Sequence, residues 1–137
     1  MKYWLIKTEP EEWSWKDQLL CRKKGSVWDG VRNFQARNNL KKMRLGDHCF
    51  FYHTGDEKKI IGIVKVIKEH FPEKNEPTRK FVSIMVRAYK ELKLPVSLND
   101  IKKHSLLTHL PLIKQSRLSV MNIDVKSWKI ICKMGKI

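Results

Sequence analysis

Four of the five tryptophans, Trp4, Trp13, Trp15 and Trp28, fall within the first 28 residues. A tryptophan most often fills a core, and that is the plainer use for any one of them. The alternative is a wall on which a flat ring stacks, which contributes roughly 1–3 kcal/mol per nucleic-acid base. Trp28 has the neighbours for that second use. It lies in Ser26-Val27-Trp28-Asp29-Gly30-Val31-Arg32-Asn33, a loop dense in donors and acceptors just ahead of a helix start. Backbone N–H groups and the positive end of a helix welcome anions and polar ring edges there. Asn33 is equally suited to capping that helix.

Catalytic groups are sparser. Lys7-Thr8-Glu9 supplies an ammonium, a hydroxyl and a carboxylate in succession, the parts of an activated nucleophile. Neighbours on a strand point to opposite sides, so they meet only if the chain turns at Thr8. His53, beside Tyr52, has the titration range for acid–base work, although a strand histidine more often simply holds a hydrogen bond. GxSxG, GxGxxG and P-loop patterns are absent. The five histidines and three cysteines show no metal-ligand spacing. No catalytic residue, metal or cofactor is therefore expected.

The charge points to a partner. Lys and Arg number 29 against 14 Asp and Glu, a formal +15 on 137 residues. Such a surplus says nothing of fold, but it favours a polyanion. Arg32–Arg44 holds five basic residues and no acid, and eight more follow Ile101 against Asp124 alone. Arg37, Lys41, Lys42 and Arg44 are the expected contacts to a nucleic-acid backbone, leaving an aromatic loop to recognise a base. The longest apolar runs, Ile60–Val64 and Cys49–Tyr52, fall far short of the roughly 20 residues a membrane span needs, so no membrane partner is expected. Cys21, Cys49 and Cys132 are odd in number and widely spaced, which fits a reducing compartment, and the first residues do not read as a secretion signal.

These groups need elements to hold them. Lys2–Thr8 reads as a strand entering a turn at Glu9-Pro10. Ser14-x-x-Asp17 is a capping box for a short helix, with Gly25 as its stop. Asn33 caps a helix over Phe34–Met43, with Ala36, Leu40 and Met43 inward. His48–His53, Lys59–Glu69 and Arg79–Lys90 read as strands, with a loop over His70–Thr78. Ser97 and Asp124 each start a helix, the second carrying Val125, Trp128, Ile131 and Cys132 inward and ending at Gly135. Leu110–Ile113 reads as extended. About five strands without a βαβ rhythm indicate a curved or barrel-like sheet.

Four ordered motifs, Tyr3-Trp4-Leu5-Ile6-Lys7-Thr8-Glu9-Pro10, Trp28-Asp29-Gly30-Val31-Arg32-Asn33-Phe34-Gln35-Ala36-Arg37-Asn38, Phe51-Tyr52-His53-Thr54-Gly55 and Leu110–Val120, together resemble the EVE domain, whose eukaryotic members include the thymocyte nuclear proteins. The resemblance implies a single domain over residues 1–137, of class α+β. It also implies a PUA-like small mixed β-barrel of about five strands flanked by short helices. The implied function is a non-catalytic reader of a modified base in DNA or RNA, taken into a pocket. Carried onto this sequence, the pocket would comprise Thr8, Glu9, Pro10, Trp28, Val31, Arg32, Asn33, Tyr52, His53 and Arg117. Trp28 would stack, Thr8 and Asn33 would meet the base edge, and Arg32 and Arg117 would meet phosphate or carbonyl oxygen. Where family members usually carry a proline shortly after Ser119-Val120, this chain has Met121-Asn122. Fold relatedness to ASCH domains raises a competing function, a hydrolase of a modified nucleoside, and charge alone would suit an indiscriminate RNA binder. A cytoplasmic place is expected for a bacterial stand-alone domain and a nuclear one for a eukaryotic protein. Nothing in the sequence specifies an oligomeric state.

Overall fold

The computed structural model describes residues 1–137. In chain order it contains β1 (Tyr3–Thr8), α1 (Trp15–Leu20), a 3-10 turn (Arg22–Lys24), β2 (Ser26–Trp28), α2 (Phe34–Lys42) and β3 (His48–His53). Then follow β4 (Lys59–Pro72), β5 (Val82–Ser97), α3 (Leu98–Lys103), α4 (Pro111–Lys114), β6 (Val120–Ile123) and α5 (Val125–Met134). The strands form one sheet in the order β2-β5-β4-β3-β1-β6. Only β1 and β3 pair in parallel; the other pairs are antiparallel. This is the expected mixed α+β class with short helices, carrying six strands where about five were expected. Neither β2, with three residues, nor β6, with four, was expected, because each is too short for an alternation to show.

Helix starts follow the side chains that cap them. Ser14 and Asp17 exchange the two bonds of a capping box, and Asn33 Oδ1 accepts the Ala36 N–H. Ser97 and Asp124 accept from Asp100 and Ser127. Each such cap contributes about 1 kcal/mol. Asp47, buried before β3, accepts N–H bonds from Lys2 (3.1 Å), the Trp4 indole (3.0 Å) and Arg44 (3.0 Å). That one carboxylate ties the start of β1 to the start of β3.

Several boundaries differ from the sequence expectation. Leu110–Ile113 is not extended: Pro111 opens α4, its fixed φ suiting the first helical position, and only Leu110 ahead of it is extended. The loop expected over His70–Thr78 lies three residues later, at 73–81, because β4 continues to Pro72, and β5 starts at Val82 and runs past Lys90 to Ser97. Register shifts at four places along the β4–β5 pair break the two-residue alternation that reveals a strand. Val125 is exposed, while Trp128 and Ile131 form the inner face of α5. No helix is long and apolar enough to cross a membrane.

Candidate functional site

Parallel pairing sets the C-terminal ends of β1 and β3 side by side, with Thr8 opposite His53. The chain turns at once after Thr8: the Glu9 carbonyl accepts from the Glu12 and Trp13 N–H groups, both at 2.9 Å. Thr8 Oγ1 donates to the Trp13 carbonyl at 2.8 Å, and the Thr54 N–H donates to the Thr8 carbonyl at 2.9 Å. This turn does what a continuous strand could not, and Lys7, Thr8 and Glu9 face the same space.

That space is a cavity of about 670 Å³, within the range that holds small ligands. Its wall comes from three places: Lys7–Glu9 with Glu12, Trp13 and Thr54; Val27–Arg32, the end of β2 and the loop that follows it; and Ser116, Arg117 and Ser119 ahead of β6. Trp28 closes one side. Its ring meets Phe51 edge-on, with centroids 5.6 Å apart and planes at 77°. Lys7 Nζ donates to the Ser116 carbonyl at 3.0 Å, and burial pushes its pKa down. An ammonium has three N–H donors, so two remain.

Of the residues expected at the pocket, Thr8, Glu9, Trp28, Val31, Arg32 and Arg117 line the cavity. Pro10, Asn33, Tyr52 and His53 do not. Pro10 belongs to the turn. Asn33 spends its carbonyl oxygen on the α2 cap. Tyr52 is buried on β3 beneath Lys7, whose Nζ lies 5.7 Å from its ring, and burial pushes its hydroxyl up to about 12. His53 is also buried: Nε2 accepts the Trp15 N–H at 3.0 Å, which puts the ring proton on Nδ1, facing Glu57 Oε1 at 3.1 Å. It is the strand histidine of the plainer reading, and it holds the start of α1.

Arg32 needs a further correction. Both its terminal nitrogens bond Glu73, at 3.1 and 2.6 Å, and the Gly30 N–H adds a third bond to that carboxylate at 2.6 Å. The Arg32 hydrogen bond, foremost, holds Glu73 below the usual carboxylate range. Arg32 is therefore neutralised where it stands, whereas Arg117 is exposed and makes no ion pair. On the expected backbone face, Lys41 and Lys42 are exposed and Arg37 has no acidic partner. Arg44 reaches Glu69 only at 3.8 Å, an exposed contact of little worth.

Sequence reasoning missed Trp13 as a wall of the cavity, and Glu73 as the partner that fixes Arg32. The crowding of tryptophans was a usable signal for the first. The second spans 41 residues and left no local trace.

Comparison with known proteins places this geometry. The EVE domain model matches residues 2–134. Rat thymocyte nuclear protein 1 is 30% identical over 96% of this chain and 73% of its own length. A crystal structure of a protein from Agrobacterium tumefaciens has a TM-score of 0.97 at 37% identity, covering 100% of this chain and 94% of that one. Human THYN1, solved in complex with 5-methylcytosine containing DNA, has a TM-score of 0.88 at 28% identity, covering 100% and 99%. An ASCH protein from Zymomonas mobilis, at 12% identity and a TM-score of 0.62 over 97% and 95%, shares the fold alone. The chain belongs to the EVE domain family.

Proposed function

We propose that this domain binds DNA carrying a modified base of the 5-methylcytosine class and holds that base, unstacked from its neighbours, in the cavity beside Trp28. The observation that carries the reading is the cavity itself: about 670 Å³, with a tryptophan in its wall and polar groups around its rim. The human relative's complex with 5-methylcytosine containing DNA supports the class of ligand. Taking a base out of its stack costs a few kcal/mol, which stacking on Trp28 and edge contacts must offset.

The roles follow from which hydrogens are already used. Thr8 directs its hydroxyl hydrogen at a carbonyl, so its lone pairs accept from an exocyclic amine. Lys7 offers its remaining N–H groups to a carbonyl oxygen. Arg117 meets phosphate at the mouth, and Arg37, Lys41, Lys42 and Arg44 serve the backbone farther along. Thr8 has a carbonyl where a nucleophile would need a base, which favours binding over hydrolysis.

The test measures affinities for matched oligonucleotides with cytosine or 5-methylcytosine across a salt series. Both affinities should fall as salt rises while their ratio persists. Trp28→Ala should bring the ratio to one with the salt slope nearly intact, and Trp28→Phe should preserve part of it. A wild-type ratio of one, or a ratio indifferent to Trp28→Ala, refutes the pocket. An RNA of the same sequence and modification, run alongside, decides which polymer is preferred.

A further inference from the structure

Arg32 leads from the cavity to a second feature. Its guanidinium lies 4.7 Å from the Phe81 ring. Phe81 stacks on Phe34 with centroids 5.6 Å apart and planes at 8°. Arg37 then covers Phe34 at 4.8 Å. Four flat groups thus form a ladder, cation–ring–ring–cation, that begins on the cavity wall and runs out onto the start of α2.

The two cations differ. Arg32 is neutralised by Glu73, so the inner end has little to offer a phosphate. Arg37 is steadied by bonds to the Lys80 carbonyl and to Asn38 Oδ1, neither of which cancels its charge. Nearby Arg79 and Lys80 also lack acidic partners. Phe34 remains 54% exposed. An exposed cation–π contact contributes only about 0.5–1 kcal/mol, a weak reason for folding alone to keep a large ring in water. Guanidinium planes and aromatic rings are both surfaces on which nucleic-acid bases stack, and the uncancelled charge suits their phosphates.

We propose that the outer end of this ladder, the Arg37 guanidinium backed by Phe34, stacks on the nucleotide that flanks the one in the cavity, so that one strand is gripped at two adjacent places. The inference rests on the pocket reading for the identity of the neighbouring nucleotide, yet it fails separately. The ladder adds affinity without reading the modification, because stacking is tolerant of base identity.

The experiment measures affinity for single-stranded oligonucleotides of about ten nucleotides, each with one central cytosine or 5-methylcytosine, using full-length Phe34→Ala and Arg37→Gln. Phe34→Ala should weaken binding of both oligonucleotides about tenfold and leave the methylated-to-unmethylated ratio unchanged. Arg37→Gln should weaken both and reduce the salt slope by about one. Both side chains lie at the surface, and a thermal melt of each variant confirms folding. Phe34→Leu, which keeps the apolar contact without the ring, is the second variant and should bind as weakly as Phe34→Ala. Unchanged affinity in Phe34→Ala overturns the ladder as a nucleic-acid contact and leaves the pocket standing; a surface for a protein partner would give that result. A wild-type ratio of one together with Phe34-dependent binding would sink the pocket and retain the ladder.

Discussion

The two ends of the β1–β3 pair are both rich in aromatics, yet one is closed and the other open. At the N-terminal end, Trp128 of α5 lies between Phe50 and Tyr3, stacked on one at 3.8 Å and on the other at 4.4 Å. Trp4 there donates its indole N–H to buried Asp47. At the C-terminal end, Trp28 touches Phe51 only edge-on and borders a cavity. Fractional exposure does not separate them: Trp128 is 6% exposed and Trp28 7%. What separates them is their setting: Trp128 is stacked between two aromatic rings, whereas Trp28 borders a cavity. Burial alone would have classed both as core.

The largest effect expected from this contrast is on stability. Trp128→Ala removes a ring packed on both faces and should cost about 3–5 kcal/mol in a urea melt. The methylated-to-unmethylated binding ratio of the folded fraction should not change. Loss of that ratio in Trp128→Ala would mean that the two ends are not independent.

A smaller effect concerns acid. Asp124 caps α5, the helix that delivers Trp128. Burial opposes its ionisation, but hydrogen bonds from His109 and Ser127 win and hold its pKa down to about 2. The folded value lies below the ordinary one near 3.9. The stabilisation is therefore complete above about pH 4 and is lost as pH falls through about 2. With the carboxylate side chain 47% exposed, the contribution stays within about 1 kcal/mol. Asp124→Asn should melt below wild type near neutral pH, and the gap should close by about pH 2. A gap that is constant with pH would show that the cap acts through hydrogen bonding alone.

The open end was only partly legible in the sequence. Local rules worked where one side chain settles a backbone: Ser14, Asn33, Ser97 and Asp124 cap helices because each sits within three residues of the N–H it serves. They failed where pairing decides. β2 exists because β5 is there to bond it, and the bulged β4–β5 ladder loses its alternation. Pro111 carried a signal for α4 that an extended reading of Leu110–Ile113 overlooked. Trp28, Thr8 and Arg117 could be named from their motifs and do line the cavity. Tyr52 and His53 belonged to an equally distinctive motif, but Tyr52 is buried beside Lys7 and His53 against the start of α1. Which residue of a motif faces ligand is a matter of sheet geometry, set by contacts far along the chain.

The indole N–H resonances of the five tryptophans test the division between the two ends most directly. Titration with a 5-methylcytosine oligonucleotide, followed by NMR with assignments from single Trp→Phe variants, should shift the Trp28 and Trp13 signals to saturation. Those of Trp4 and Trp128 should stay in place. A Trp28 signal that does not move while the oligonucleotide binds, or one of Trp128 that moves in its stead, would contradict the assignment of the open end as the base-binding site.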